Sequence, residues 1–189
     1  MQALLNRLGG IKGIGGERLA PMPEADIVAF ETELGIRLPE EYRRFLATYG
    51  ASAFNGASPD NPYILFRPLT PLPARFKSGK GSLDALYGGQ KDEHDPYSVR
   101  VRAHFFSGRM PKNIIPIGDD GIAGQICLGI RGPETGKVYY WDQQDEPPDE
   151  QDYLVDHART RPPGMIYQNV FLIAESFGDF LQRLEVSAD

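Results

Sequence analysis

The 189-residue chain is 41% hydrophobic and 24% charged, with a formal net charge of −6 and a pI near 5.1. That much apolar material excludes disorder throughout, and the acidic balance argues against nucleic-acid binding, which relies on Lys and Arg meeting phosphates. Cys127 is the sole cysteine, so an internal disulfide is excluded, and no run reaches the ~18 apolar residues of a membrane span.

Residues 1–20 open with Leu4, Leu5 and Leu8, followed by Gly9, Gly10, Gly13, Gly15 and Gly16. A phosphate-binding loop needs Gly-Lys-Ser/Thr opening a helix. The segment lacks that ending, and Gly79-Lys80-Gly81-Ser82 misses the spacing, so both read as loops. Two helices are predicted next. Pro23, Glu24 and Asp26 suit a first turn, where proline's missing N–H costs nothing and acids favour the dipole. Ile27, Phe30 and Leu34 follow at helical spacing, and Gly35 is a stop. Leu38-Pro39-Glu40-Glu41 repeats the start. Tyr42, Phe45, Leu46 and Tyr49 build an apolar stripe that Gly50 closes.

Prolines 59, 62, 68, 71 and 73 bar a long regular element from 51–82, leaving one short strand at Tyr63-Ile64-Leu65-Phe66. Leu83, Leu86 and Tyr87 suggest a helical turn, and 99–106 fits helix or strand. Residues 113–141 are the clearest β region. Strands at 114–118, 125–130 and 137–141 are joined by an Asp119-Asp120-Gly121 turn and a 131–136 loop, which favours an antiparallel meander. An acidic stretch without Lys or Arg follows: Asp142, Asp145, Glu146, Asp149, Glu150 and Asp152. A strand is expected at 167–173. Ser176 then caps a final helix, with Asp179 at the capping-box position and Phe177, Phe180, Leu181 and Leu184 on its stripe.

The fold class expected is α+β: a mixed, largely antiparallel sheet with flanking N- and C-terminal helices. The length suits one domain, 1–189, with its core at about 23–184 and a loop-rich insertion at about 51–112. With no export or anchoring signal in view, a cytoplasmic setting is expected.

Little in the chain resembles a catalytic constellation. Asp92-Glu93-His94-Asp95 lacks the spaced ligands of a metal site, His157 sits among surface charges, and Asp119-Asp120-Gly121 lacks the further donors of a calcium loop. Cys127 sits between Ile126 and Leu128, an apolar setting that disfavours a thiolate nucleophile. No Gly-x-Ser-x-Gly elbow is present. No cofactor, metal ligand or catalytic residue is assigned. A hydrolase would have to draw on Asp119, Asp120 and His94 or His104. In Tyr139-Tyr140-Trp141, alternation sends two rings to one face and one to the other. One face belongs to the core, and the other is a candidate aromatic anchor beside the acidic stretch.

The order of these blocks resembles the SMI1/KNR4 (SUKH) superfamily. The resemblance rests on Glu31-Thr32-Glu33-Leu34-Gly35-Ile36-Arg37-Leu38-Pro39-Glu40-Glu41-Tyr42-Arg43-Arg44-Phe45-Leu46. It continues in Ile115-Pro116-Ile117-Gly118, Ile126-Cys127-Leu128, Gly136-Lys137-Val138-Tyr139-Tyr140-Trp141-Asp142 and Ser176-Phe177-Gly178-Asp179-Phe180-Leu181. The long segment 51–112 and the acidic insertion 142–165 depart from the pattern. The resemblance implies a protein-binding scaffold without catalysis. Bacterial members are often immunity proteins that neutralise toxin domains, many of them nucleases, and fungal relatives are regulatory interaction proteins of cell-wall and signalling pathways. The expected partner is therefore a protein, with a basic toxin domain as first choice and neither nucleic acid nor membrane involved. The expected contact residues are Trp141, Asp142, Asp145, Glu146, Asp149, Glu150 and Asp152, whose charge would steer a basic partner.

Overall fold

Apolar residues at helical spacing decide the first part of the chain in the computed structural model, which describes residues 2–58, 60–89 and 92–188. Pro59, one of the prolines read as barring regular structure, lies outside the described residues. Leu4 and Leu5 on α1 (Gln2–Arg7), and Leu8 just beyond it, are buried. β1 (Ile11–Gly13) follows, so part of the glycine-rich stretch is sheet and not the loop its composition suggests. Close approach explains one glycine there: a Cβ on Gly9 would lie 2.0 Å from the Gly56 carbonyl oxygen.

α2 (Glu24–Leu34) starts after Pro23 and ends at Gly35, whose φ of 63° is left-handed. α3 (Glu40–Thr48) starts after Pro39 and buries Tyr42, Phe45 and Leu46 on one stripe. Charge ties the two helices together. Glu31 accepts the Leu38 N–H at 2.9 Å and faces Arg43 Nε at 3.3 Å, while Arg43 also pairs with Glu24.

Four short strands stand where the sequence predicts one: β2 (Ser52–Phe54), β3 (Ile64–Phe66), β4 (Gly81–Leu83) and β5 (Ala85–Leu86). Only β3 is the strand expected. Leu86 and Tyr87 belong to the sheet and not to a helical turn: Leu86 pairs with Gly118, and the Tyr87 N–H donates to the Ile117 carbonyl at 2.8 Å. The ambiguous 99–106 segment is helical in α4 (Val99–Phe105), where Ser98 accepts the Val101 N–H.

The meander is β6 (Ile114–Asp119), β7 (Gln125–Gly129), β8 (Val138–Trp141) and β9 (Val170–Ala174). α5 (Glu150–His157) lies inside the β8–β9 connection, a helix the sequence reading did not include. α6 (Phe177–Arg183) is capped as expected, with Ser176 Oγ accepting the Asp179 N–H at 3.1 Å. The Asp179 carboxylate reaches back to the Glu175 N–H at 3.1 Å, one residue ahead of the usual capping-box donor. β10 (Leu184–Val186) follows directly.

The larger sheet runs β1-β2-β5-β6-β7-β8-β9 and the smaller β10-β3-β4. All pairings between these strands are antiparallel. Parallel contact is confined to isolated bridges at Ala20–Gly50 and Gly88–Ser98. At the β9 edge, the Leu69 and Thr70 N–H groups both donate to the Leu172 carbonyl, at 3.0 and 3.1 Å.

Strand alternation divides the interior into two cores. Ile126, Leu128, Val138 and Tyr140 join the main core with residues of α1, α2, α3 and α6. Cys127, Tyr139 and Trp141 form a second cluster with Phe106, Met110 and Ile114. The N- and C-terminal blocks meet in the main core. The Phe177 ring lies 5.2 Å from Tyr42 and 5.3 Å from Phe45, both edge-on, and the Gly178 N–H donates to Glu41 at 2.9 Å.

Candidate protein-binding face

The acidic stretch leaves β8 at Trp141, and the fold corrects the idea of an exposed aromatic anchor there. Trp141 is fully buried, its ring 5.3 Å from Phe106 in the second cluster. Tyr139 and Tyr140 are buried as well. The opposite face of β8 is therefore a second hydrophobic layer, covered in part by residues that follow α4.

Asp142 is also buried, 2% exposed, which removes it from any surface. It builds the corner after β8. Its side chain accepts the Gln144 N–H and pairs with Arg75, and its main chain exchanges hydrogen bonds with Asn169 at 2.8 and 2.9 Å. Burying this carboxylate is tolerable because a guanidinium and hydrogen bonds compensate it. Asp145 is exposed and accepts from the same Arg75, at 2.8 Å.

Arginine contacts continue along the segment. Glu146 takes a two-pronged bond from Arg109, Nε to Oε1 at 2.8 Å and Nη2 to Oε2 at 2.5 Å. The Arg109 guanidinium lies over Phe105, Phe106 and Trp141, 5.0–5.8 Å from the ring centres. Glu150 accepts the Arg161 N–H at 3.0 Å, and Arg161 also donates to the Pro148 carbonyl at 2.8 Å. Arg75, Arg109 and Arg161 thus take up four of the six predicted carboxylates. All three lie outside the stretch itself, so the local run of acids gave no sign of them.

The remaining charge gathers on α5. Asp149 is its N-cap, accepting the Asp152 N–H at 2.8 Å, and acids in this first turn suit the helix dipole. Asp152 and Asp156 are exposed, and among the described residues neither forms an ion pair. Tyr153 alone on α5 is buried, its ring 4.2 Å from His157. Leu154 and Val155 face outward, 41% and 71% exposed. Two adjacent apolar side chains flanked by unpaired carboxylates make α5 a compact face suited to protein contact. Asp149-x-x-Asp152 after Pro147-Pro148 is the sequence signal that marks this helix start.

Asp120 and His104, two residues of the hydrolase alternative, have structural partners. Asp120 Oδ1 accepts the N–H groups of Ile122, Ala123 and Gly124 at 2.8–3.0 Å, and Oδ2 accepts from Tyr140 at 2.8 Å, so Asp120 holds the β6–β7 turn. His104 on α4 meets Glu33 at 2.5 Å, and His94 lies exposed beside Glu93. Cys127 is buried, and desolvation pushes its thiol well above the ordinary range. Among the described residues no three His, Cys, Asp or Glu side chains are placed to share a metal ion. None of the described helices is long and apolar enough to cross a membrane.

The model of the SMI1 / KNR4 family (SUKH-1) matches residues 21–183. A relative, the SPbeta prophage-derived uncharacterized protein YokK of Bacillus subtilis (strain 168), is 27% identical over 157 residues, covering 82% of this chain and 70% of that protein. The family match includes the 51–112 segment and α5.

Proposed function

This chain belongs to the SMI1/KNR4 family (SUKH-1), and from that premise we propose that it is a non-enzymatic, immunity-type binding domain that neutralises a basic toxin domain in the cytoplasm. Family membership supports the immunity-type reading. The observation that carries the choice of surface is α5, where Leu154 and Val155 stand exposed between Asp152 and Asp156. Exposed apolar side chains supply contact area, and nearby unpaired carboxylates speed the approach of a basic partner. Asp149 extends the same acidic rim, whereas Asp145, Glu146 and Glu150 are engaged by Arg75, Arg109 and Arg161.

The test is co-expression with the product of the neighbouring gene, followed by pull-down and binding kinetics. Asp152→Lys with Asp156→Lys should slow association and flatten its salt dependence. Leu154→Glu with Val155→Glu should chiefly speed dissociation. A neighbouring product that does not bind sinks the immunity reading. Kinetics unchanged in both double variants sink the assignment to α5.

A further inference from the structure

We propose that the tip of the β6–β7 hairpin is a second docking element, a knob that receives an arginine or lysine set beside an apolar side chain of a protein partner. This rests on the reading that the chain binds a protein, and it adds a surface and a recognition chemistry to it.

The knob is Ile122, 83% exposed at the turn between Asp120 and Gly124. Turns favour polar residues, and this one is already held by Asp120, whose carboxylate takes up the N–H groups of Ile122, Ala123 and Gly124. Nothing in the turn requires an isoleucine. Phe105 and Tyr63 are also exposed, by 60% and 62%. Two clefts flank the tip, one of about 440 Å³ walled by Tyr63 and one of about 390 Å³ walled by Phe105. Both share Asp84, Tyr97 and Ile122, so the knob rises between two recesses. Gln143 lines the second, which opens toward the acidic segment.

The floor of these recesses is short of positive charge. Asp84 is exposed, and among the described residues its carboxylate has no hydrogen bond or ion pair. Asp119 lies beside it and accepts the Gly121 N–H at 2.9 Å. Burial raises the Asp119 pKa, and the Asp84 charge adds to the rise. Arg102 donates to the Pro96 carbonyl at 2.7 Å and lies over the Tyr87 ring at 5.5 Å, and its charge offsets part of the Asp119 charge, leaving Asp84 without an ion-pair partner among the described residues. Lys12 lines the first cleft but makes no ion pair with Asp84. Gly121 permits the arrangement: its φ is 77°, and a Cβ there would come within 3.2 Å of Asp84 Cβ. An incoming cation would relieve the carboxylate pair while its neighbour packs on Ile122 and Phe105 or Tyr63.

The probe is a phage library of random linear peptides selected on the intact chain. Enriched peptides are then measured on the wild type, Ile122→Asp and Asp84→Lys, with thermal unfolding confirming that both variants fold. Enriched peptides should carry Arg or Lys beside an aliphatic or aromatic residue and should lose about tenfold or more in affinity with either variant. The proposal is overturned by no enrichment, by winners without basic residues, or by affinities within about twofold of wild type. The two readings separate cleanly. A neighbouring gene product that fails to bind, with peptides still dependent on Ile122 and Asp84, removes the immunity role and keeps the knob. A product that binds wild type and both variants alike removes the knob and keeps the immunity role.

Discussion

Arg109 grips Glu146 with two N–H groups on one edge of its guanidinium, at 2.8 and 2.5 Å, while its flat face lies 5.0 Å from the centre of the Phe106 ring. One side chain therefore joins the acidic segment to the second hydrophobic cluster. Charge and packing act through the same group.

Glu146→Ala should cost about 1–3 kcal/mol, the range for a hydrogen-bonded charged group left without its partner. Arg109→Lys should recover little of this, because an ammonium lacks the two-pronged geometry and the flat face. Chemical denaturation with a double-mutant cycle measures the coupling. A loss of only about 0.5 kcal/mol, typical of a surface site, would show that the pair does not hold the segment in place.

Trp141 is the chain's single tryptophan and is fully buried, so native emission should be blue-shifted and should move red on unfolding. Binding of a partner at α5 or at the hairpin tip should leave the emission wavelength unchanged. Trp141→Ala should cost roughly 3–5 kcal/mol, as for other large buried aromatics. Emission like that of free tryptophan in the folded protein would contradict the burial.

Gly88 and Gly164 offer a paired test of backbone packing. A Cβ on Gly88 would lie 1.9 Å from the Ala51 nitrogen, whereas on Gly164 it would meet nothing within 4 Å. Gly88→Ala should destabilise by about 1–3 kcal/mol or more, and Gly164→Ala should stay within about 0.5 kcal/mol of wild type. Thermal unfolding of the two variants side by side gives the answer.

Asp119 gives a pH signature with a definite sign. Burial, joined by the Asp84 charge, raises its folded pKa above the unfolded value, so its ionised form opposes folding at neutral pH. That penalty is full above the folded pKa and is lifted as pH falls through it toward the unfolded value of about 4. Asp119→Asn, whose amide oxygen still accepts from Gly121, should therefore be more stable than wild type near pH 7. The advantage should shrink as the solution is acidified. Tm measured for both proteins from neutral pH downward tests this, and an advantage that grows in acid would reverse the assignment.

Much of the fold is legible in the sequence because its cues are local. Pro23 and Pro39 start helices, Gly35 stops one, Ser176 caps another, and the strands around Ile115, Cys127 and Tyr140 are bounded by turn residues. What escaped is held by distant partners. Ser52–Phe54, Gly81–Leu83 and Ala85–Leu86 are too short for alternation to show, and they become strands only because β1, β3 and β6 lie beside them. The candidate face was half legible for the same reason. The carboxylates are plain in the chain, but Arg75, Arg109 and Arg161 reach them from other segments. The alternation of Tyr139, Tyr140 and Trp141 was readable, yet nothing local announced a hydrophobic layer on both faces of β8. Leu154 and Val155 carry no sign in the sequence that they face outward.

The bonds from Leu69 and Thr70 to the Leu172 carbonyl have a consequence for how copies of this protein behave at high concentration. The outermost strand of a sheet carries unspent main-chain groups, a ready template on which a neighbouring chain can stack. Here the proline-rich 68–73 stretch lies along that rim and occupies one of its acceptors, and a segment so poor in N–H groups is itself a bad template. The 68–73 stretch thus doubles as a bumper against strand-by-strand self-association at the β9 edge.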